Sequence, residues 1–271
     1  MWYLLQLEWK KFKHYRTFKV MAILYVILLP LMLIVGKSFF NFADAPLEVI
    51  NTETMFKLPG VWDYLAYIGN WLSFFFLGFM GVLCITMEFD NKTLRQNIIT
   101  GVTRNEFFLA KILLILTISL FATLYFALVG FSFGFINTDN LYYTKIVSGT
   151  KQIPLFYLMC VGYMTFGFFL GVLIRKTGLA LFLYLIYVIF LEPVIRWAAH
   201  GKIVMNKTIH YYPLNAIEDL APIPIPKIIN QLTKEHEFSL LLTSMEATTI
   251  TLIYLFIFIF IAYWRIKKSD L

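Results

Sequence analysis

MEFDNKTLRQNIITGVTRNEFFLAK, residues 87–111, is a polar island between two strongly apolar segments, and the rest of the chain is laid out around it. Asp90 or Asn91 offers a side-chain oxygen as a helix N-cap, and Leu94 and Ile98 would share one face of that helix at i, i+4 spacing. Gly101 suits the left-handed residue that ends such a helix. Thr103-x-x-Glu106 has the form of a capping box, which predicts a second helix from Arg104 running unbroken into the apolar stretch that begins at Ile112. The stretch therefore reads as helix, turn, helix.

Outward from this island the chain is oily. Its 271 residues are 60% hydrophobic and 14% charged, more apolar surface than one water-soluble core can bury, so the chain belongs in a bilayer. The net charge of +7 lies mostly in short segments beside apolar runs, where Lys and Arg set topology. This excludes nucleic acid as a partner. Cys84 and Cys160 both fall inside apolar runs, which argues against a disulfide.

Residues 1–19 place Trp2, Leu5, Trp9 and Phe12 on one helical stripe, with Lys10, Lys11, Lys13, His14 and Arg16 crowded behind it. That is the pattern of a basic amphipathic helix lying at a membrane surface. The basic stretch is long and aromatic and no small-x-small cleavage site follows, so an uncleaved first span is expected rather than a signal peptide. Spans are predicted at 20–40, with Pro30 a kink, and at 64–87, 112–136, 153–174, 179–195 and 245–264. Segments 1–19, 88–111, 175–178 and 265–271 hold 14 Lys and Arg in 54 residues, against 9 in 92 for 37–63, 137–152 and 196–244. By the positive-inside rule both termini and the 88–111 loop face the cytoplasm. The fold class expected is an all-α integral membrane protein of six transmembrane helices, a single domain with an interfacial N-terminal helix.

Between spans five and six, 196–244 forms the longest outer connection. Pro222, Pro224 and Pro226 exclude a continuous helix there and predict short broken elements. Glu192 is the one ionisable residue well inside a predicted span, with Glu246 at the edge of the sixth. A charge at depth is a pathway candidate, but an ion pair with Arg196 one turn on is the favoured reading.

Motifs for other chemistry are missing. There is no G-x-x-x-x-G-K-[ST] phosphate loop, so if ATP is used another polypeptide binds it, and no H-E-x-x-H metal motif. Gly130-Phe-Ser132-Phe-Gly134 spells G-x-S-x-G, yet it lies in an apolar helix without a histidine base in any predicted span. Helix packing is the simpler reading: Gly130 with Gly134, and Gly167 with Gly171, each form a G-x-x-x-G face.

Glu88-Phe89, Thr93-Leu94, Gly101, Arg104 and Lys111 together resemble the signature of ABC-2-type transporter permeases. Lys92 stands where those proteins often carry Gly, and Gly101-Val102 where a Pro is usual. The resemblance implies a Glu closing the second span, a cytoplasmic coupling helix opened by Thr-Leu, and an Arg and a Lys leading into the third span. It further implies six helices per chain, two identical or different permease chains, and separate ABC ATPase subunits that hold ATP and Mg²⁺. The chain itself would bind no cofactor or metal and would be no enzyme. Arg95, Gln96 and Asn97 are then candidates for polar contacts with the ATPase, and Leu94, Ile98 and Ile99 for filling a groove on it or packing on the N-terminal helix. Spans rich in Phe, Tyr, Leu and Ile suit a hydrophobic or amphipathic solute, and the family implies export across the plasma membrane. A membrane scaffold or sensor is the alternative, and an intramembrane enzyme a weaker one.

Overall fold

The structure, a computed structural model, describes residues 2–42, 55–91, 93, 96, 101–204, 206–224 and 241–268. It is 84% helical, with no strand among the described residues. In chain order the principal helices are α1 (Trp2–His14) and α2 (Arg16–Phe42), then α3 (Gly60–Asp90) and α4 (Arg104–Asn137). They are followed by α5 (Gln152–Ile174), α6 (Thr177–Ile203), the short α7 (Pro213–Glu218) and α8 (Ser244–Lys267).

Six of these, α2 to α6 and α8, are long and apolar enough to cross a membrane. At about 1.5 Å per residue even the shortest apolar stretch, the 21 residues of Arg16–Gly36, covers a hydrocarbon core of about 30 Å. The helices run past the predicted spans at their ends, because hydropathy marks only the apolar part while the backbone continues to its caps. Two of those caps are capping boxes. Thr103 accepts from the Glu106 N–H and Glu106 accepts from the Thr103 N–H, and Thr243 and Glu246 repeat the exchange at the start of α8.

The bundle is built around α3. Its apolar stretch is 83% buried and that of α5 67%, against 22% for α2, 17% for α6 and 28% for α8. The outer helices leave apolar rows such as Ile23, Ile27, Leu31 and Ile34 on α2 and Leu252, Phe256 and Phe260 on α8 exposed, as a lipid-facing surface requires. α3 and α5 touch backbone to backbone. A Cβ at Gly167 would stand 2.2 Å from the Gly78 carbonyl oxygen, and one at Gly81 2.2 Å from that of Met164. Gly171 lies beside Ile85 and Val82 in the same seam, whereas Gly130 and Gly134 on α4 make room for the Trp62 and Leu58 side chains. The Ser132 hydroxyl bonds back to its own helix, donating to the Leu128 carbonyl at 2.8 Å.

Helix α3 is interrupted by a π-helical turn at Ser73–Leu77, where the Gly78 N–H reaches the Ser73 carbonyl. Tyr184 of α6 donates to the Phe74 carbonyl at 2.8 Å. α6 carries two π-helical turns of its own, Tyr187–Leu191 and Ile195–His200. Such insertions widen the helix and turn side chains onto a new face.

Candidate coupling site

At the end of the bundle where α3 finishes and α4 begins, four charged side chains meet. Lys111 of α4 is fully buried, and its Nζ donates to Glu8 Oε2 of α1 at 2.5 Å and to Glu88 Oε1 of α3 at 2.7 Å. Lys11, one turn after Glu8, reaches Glu88 Oε1 at 2.9 Å and Glu8 Oε1 at 3.1 Å. The carboxylates retain only 4% side-chain exposure. Two lysines and two glutamates balance, and the Phe12 and Phe107 rings lie 5.5 and 5.1 Å from the Lys111 ammonium.

A buried group of this kind contributes little net stability against an apolar replacement, but removing one partner strands a charge, at a cost of about 3–5 kcal/mol. It therefore fixes relative position. Here it fixes α1, the end of α3 and the start of α4 to one another.

The cluster also reaches the polar island. Thr93 has helical backbone and its hydroxyl donates to Glu88 Oε2. Gln96 is helical and exposed. Gly101 has φ +99°, the left-handed conformation a residue without Cβ adopts cheaply. Leu94, Arg95, Ile98 and the neighbouring Asn97 and Ile99 lie outside the described residues, as does most of the expected coupling helix. Asn91 ends α3, its N–H bonded to the Met87 carbonyl. Arg104 points away from the cluster and donates to the Ile266 and Lys267 carbonyls at 3.3 and 2.7 Å, closing the last turn of α8.

Glu88, Thr93 and Lys111, singled out in the sequence, are thus in contact. Glu8 and Lys11 complete the group and were missed. Glu8 stands three residues after Leu5 and four before Phe12, a lone carboxylate on the apolar stripe of α1, and that misplacement was the available signal. Glu88 and Lys111 each stand one residue outside the predicted spans 64–87 and 112–136, yet the longer helices that carry them bury both.

A correction concerns Glu192. It is 2% exposed, yet no direct ion pair joins it to Arg196. Its carboxylate accepts the backbone N–H groups of Leu214 at 3.1 Å and Asn215 at 2.7 Å, the free donors in the first turn of α7. Arg196 turns instead to the Ile209 carbonyl and His210 Nδ1, both at 3.0 Å. Nearby Asp219 accepts from the Leu242 N–H and from Asn215 Nδ2, each at 3.0 Å. Burial pushes its carboxyl up to about 7. Burial and the Arg196 charge push His210 down to about 4. Gln152 of α5 donates to the Leu220 carbonyl at 2.8 Å and ties this cap to the bundle.

Six apolar helices, two of them forming a buried central pair, define a multi-pass membrane protein. Residues 4–191 match the model of the ABC-2 family transporter protein, and the chain belongs to that family: it is a transporter permease. No curated protein matches it.

Proposed function

We propose that this chain is the membrane subunit of an ATP-driven exporter at the plasma membrane. Two such chains form the pathway, both termini face the cytoplasm, and ATP with Mg²⁺ is bound by separate ATPase subunits docked on residues 88–111. The solute is hydrophobic or amphipathic.

The observation that carries this reading is the Glu8–Lys11–Glu88–Lys111 cluster with Thr93 attached. An ATPase outside the bilayer can move membrane helices only through an element that it grips and that is rigidly joined to them. Closely paired buried charges give such a joint, because any sliding of α1, α3 or α4 separates them in a medium that screens poorly. The apolar rows on α2 and α8 support contact with lipid or with a second chain.

The test is to express the chain with the ATPases of its own cell, purify it, and measure what accompanies it and how fast that complex hydrolyses ATP. An ATPase subunit should co-purify, and Thr93→Val, which frees the segment from Glu88, should lower solute-stimulated turnover several-fold while the complex stays assembled. Recovery of the folded chain with no ATPase bound would overturn the proposal.

A further inference from the structure

At the opposite end of the bundle, under α7, lies a cavity of about 200 Å³ lined chiefly by Asn70, Trp71, Phe74, Tyr163, Val188 and Glu218. Two of the π-helical turns shape it. The turn Ser73–Leu77 supplies Phe74, and the turn Tyr187–Leu191 supplies Val188; π-turns inside α-helices cluster at functional sites.

Three aromatic rings run together along the wall, Trp71 to Phe74 at 6.3 Å and Phe74 to Tyr163 at 6.2 Å between centroids. Trp71 is 53% exposed and stands at the rim, while Asn70 and Tyr163 are buried. Tyr163 donates its hydroxyl to Asn70 Oδ1 at 2.7 Å, so the tyrosine oxygen and the amide oxygen engage each other. Among the described residues neither the Asn70 amide nitrogen nor the Glu218 carboxylate has a hydrogen bond, and Glu218 has no ion pair. Among the described residues no Lys or Arg lines the cavity. Arg196 acts on Glu218 only through space, its guanidinium being engaged by Ile209 and His210.

We infer that this cavity is a binding site for an amphipathic organic cation, its ammonium held between the Glu218 carboxylate and the Trp71, Phe74 and Tyr163 rings and its apolar part against Val188. Aromatic faces attract cations through their quadrupole, more strongly where water is excluded, and a carboxylate with no ion pair among the described residues, in a mostly apolar cavity, selects positive charge over a neutral or anionic solute. Burial pushes the Glu218 carboxyl above its usual range, the condition that an incoming ammonium relieves. The inference names the solute class of the pathway proposed above and rests on that reading.

The experiment uses the purified full chain in phosphatidylcholine nanodiscs, titrated with benzyltrimethylammonium and followed by tryptophan fluorescence and calorimetry, with empty nanodiscs as blank. Saturable binding is expected, with no binding of benzenesulfonate. Glu218→Gln should weaken the cation at least about ten-fold, and Val188→Trp, which fills the cavity without touching its charge, should abolish binding. Thermal melts check that each variant is folded; if Glu218→Gln is not, Val188→Trp decides. Equal binding to the wild-type chain and Val188→Trp, or equal binding of the anion, would overturn the site. Loss of binding beside an intact ATPase complex sinks the cation alone, whereas binding without any associated ATPase keeps the site and sinks the exporter.

Discussion

The two ends of the bundle satisfy their buried carboxylates in opposite ways. Where α3 meets α4, Glu8 and Glu88 are neutralised by Lys11 and Lys111, charge against charge. At the α7 end, Glu192 and Asp219 are held by backbone N–H groups and an amide, and the one nearby arginine is turned elsewhere. Ion pairs at 2.5–3.1 Å from three separate helices make a joint that either holds or breaks. A carboxylate on the first turn of a six-residue helix adds a backbone clasp to an element whose residues Pro213 to Ile217 are already buried against the bundle. The contrast is one of attachment, a four-charge joint between three helices at one end and a short helix held through its backbone at the other.

The largest way to break the comparison is Lys111→Met. It leaves two buried carboxylates sharing Lys11, and unfolding in detergent should show a loss of about 3–5 kcal/mol. Adding Glu8→Gln to that variant should recover part of the loss, a non-additivity that contact within one cluster demands. At the other end Glu192→Gln exchanges a charged acceptor for a neutral one. The expected cost is about 1–3 kcal/mol, read as faster amide exchange at Leu214 and Asn215, with no effect on exchange around Lys111.

The third test is pH. Asp219, raised to about 7 from an ordinary 3.8, favours the folded state fully below 3.8, and its contribution is lost as pH climbs through about 7. His210, depressed to about 4 from 6.5, contributes above 6.5 and its share is lost as pH falls through about 4. The two slopes oppose each other between about 4 and 6.5. Relative to wild type, Asp219→Asn should therefore gain stability as pH rises across that window, and His210→Gln should lose it. The smallest effect is expected from Thr93→Val, about 0.5–1.5 kcal/mol for one hydrogen bond, with its consequence in turnover rather than in melting.

Much of this was legible in the chain. Apolar runs of about twenty residues admit few alternatives to spanning helices, and Thr103-x-x-Glu106 opens α4 as its capping pattern requires. Glu88 and Lys111 were visible as motif residues. What they bind was not, because Glu8 lies 103 residues from Lys111 and only packing of α1 on α4 brings them together. Glu192 was read by its neighbour in sequence, Arg196, since the competing donors are backbone N–H groups that no side-chain pattern displays. The π-helical turns left no mark in hydropathy, so the cavity between Asn70 and Glu218 was invisible until Phe74 and Val188 were placed.

The most direct test places a photo-crosslinking amino acid at Gln96, exposed on the segment tethered through Thr93 to Glu88, and at Ile203 at the far end of α6, in intact cells. The account predicts that Gln96 captures an ATPase polypeptide and Ile203 does not. Capture from Ile203 with none from Gln96 would contradict it.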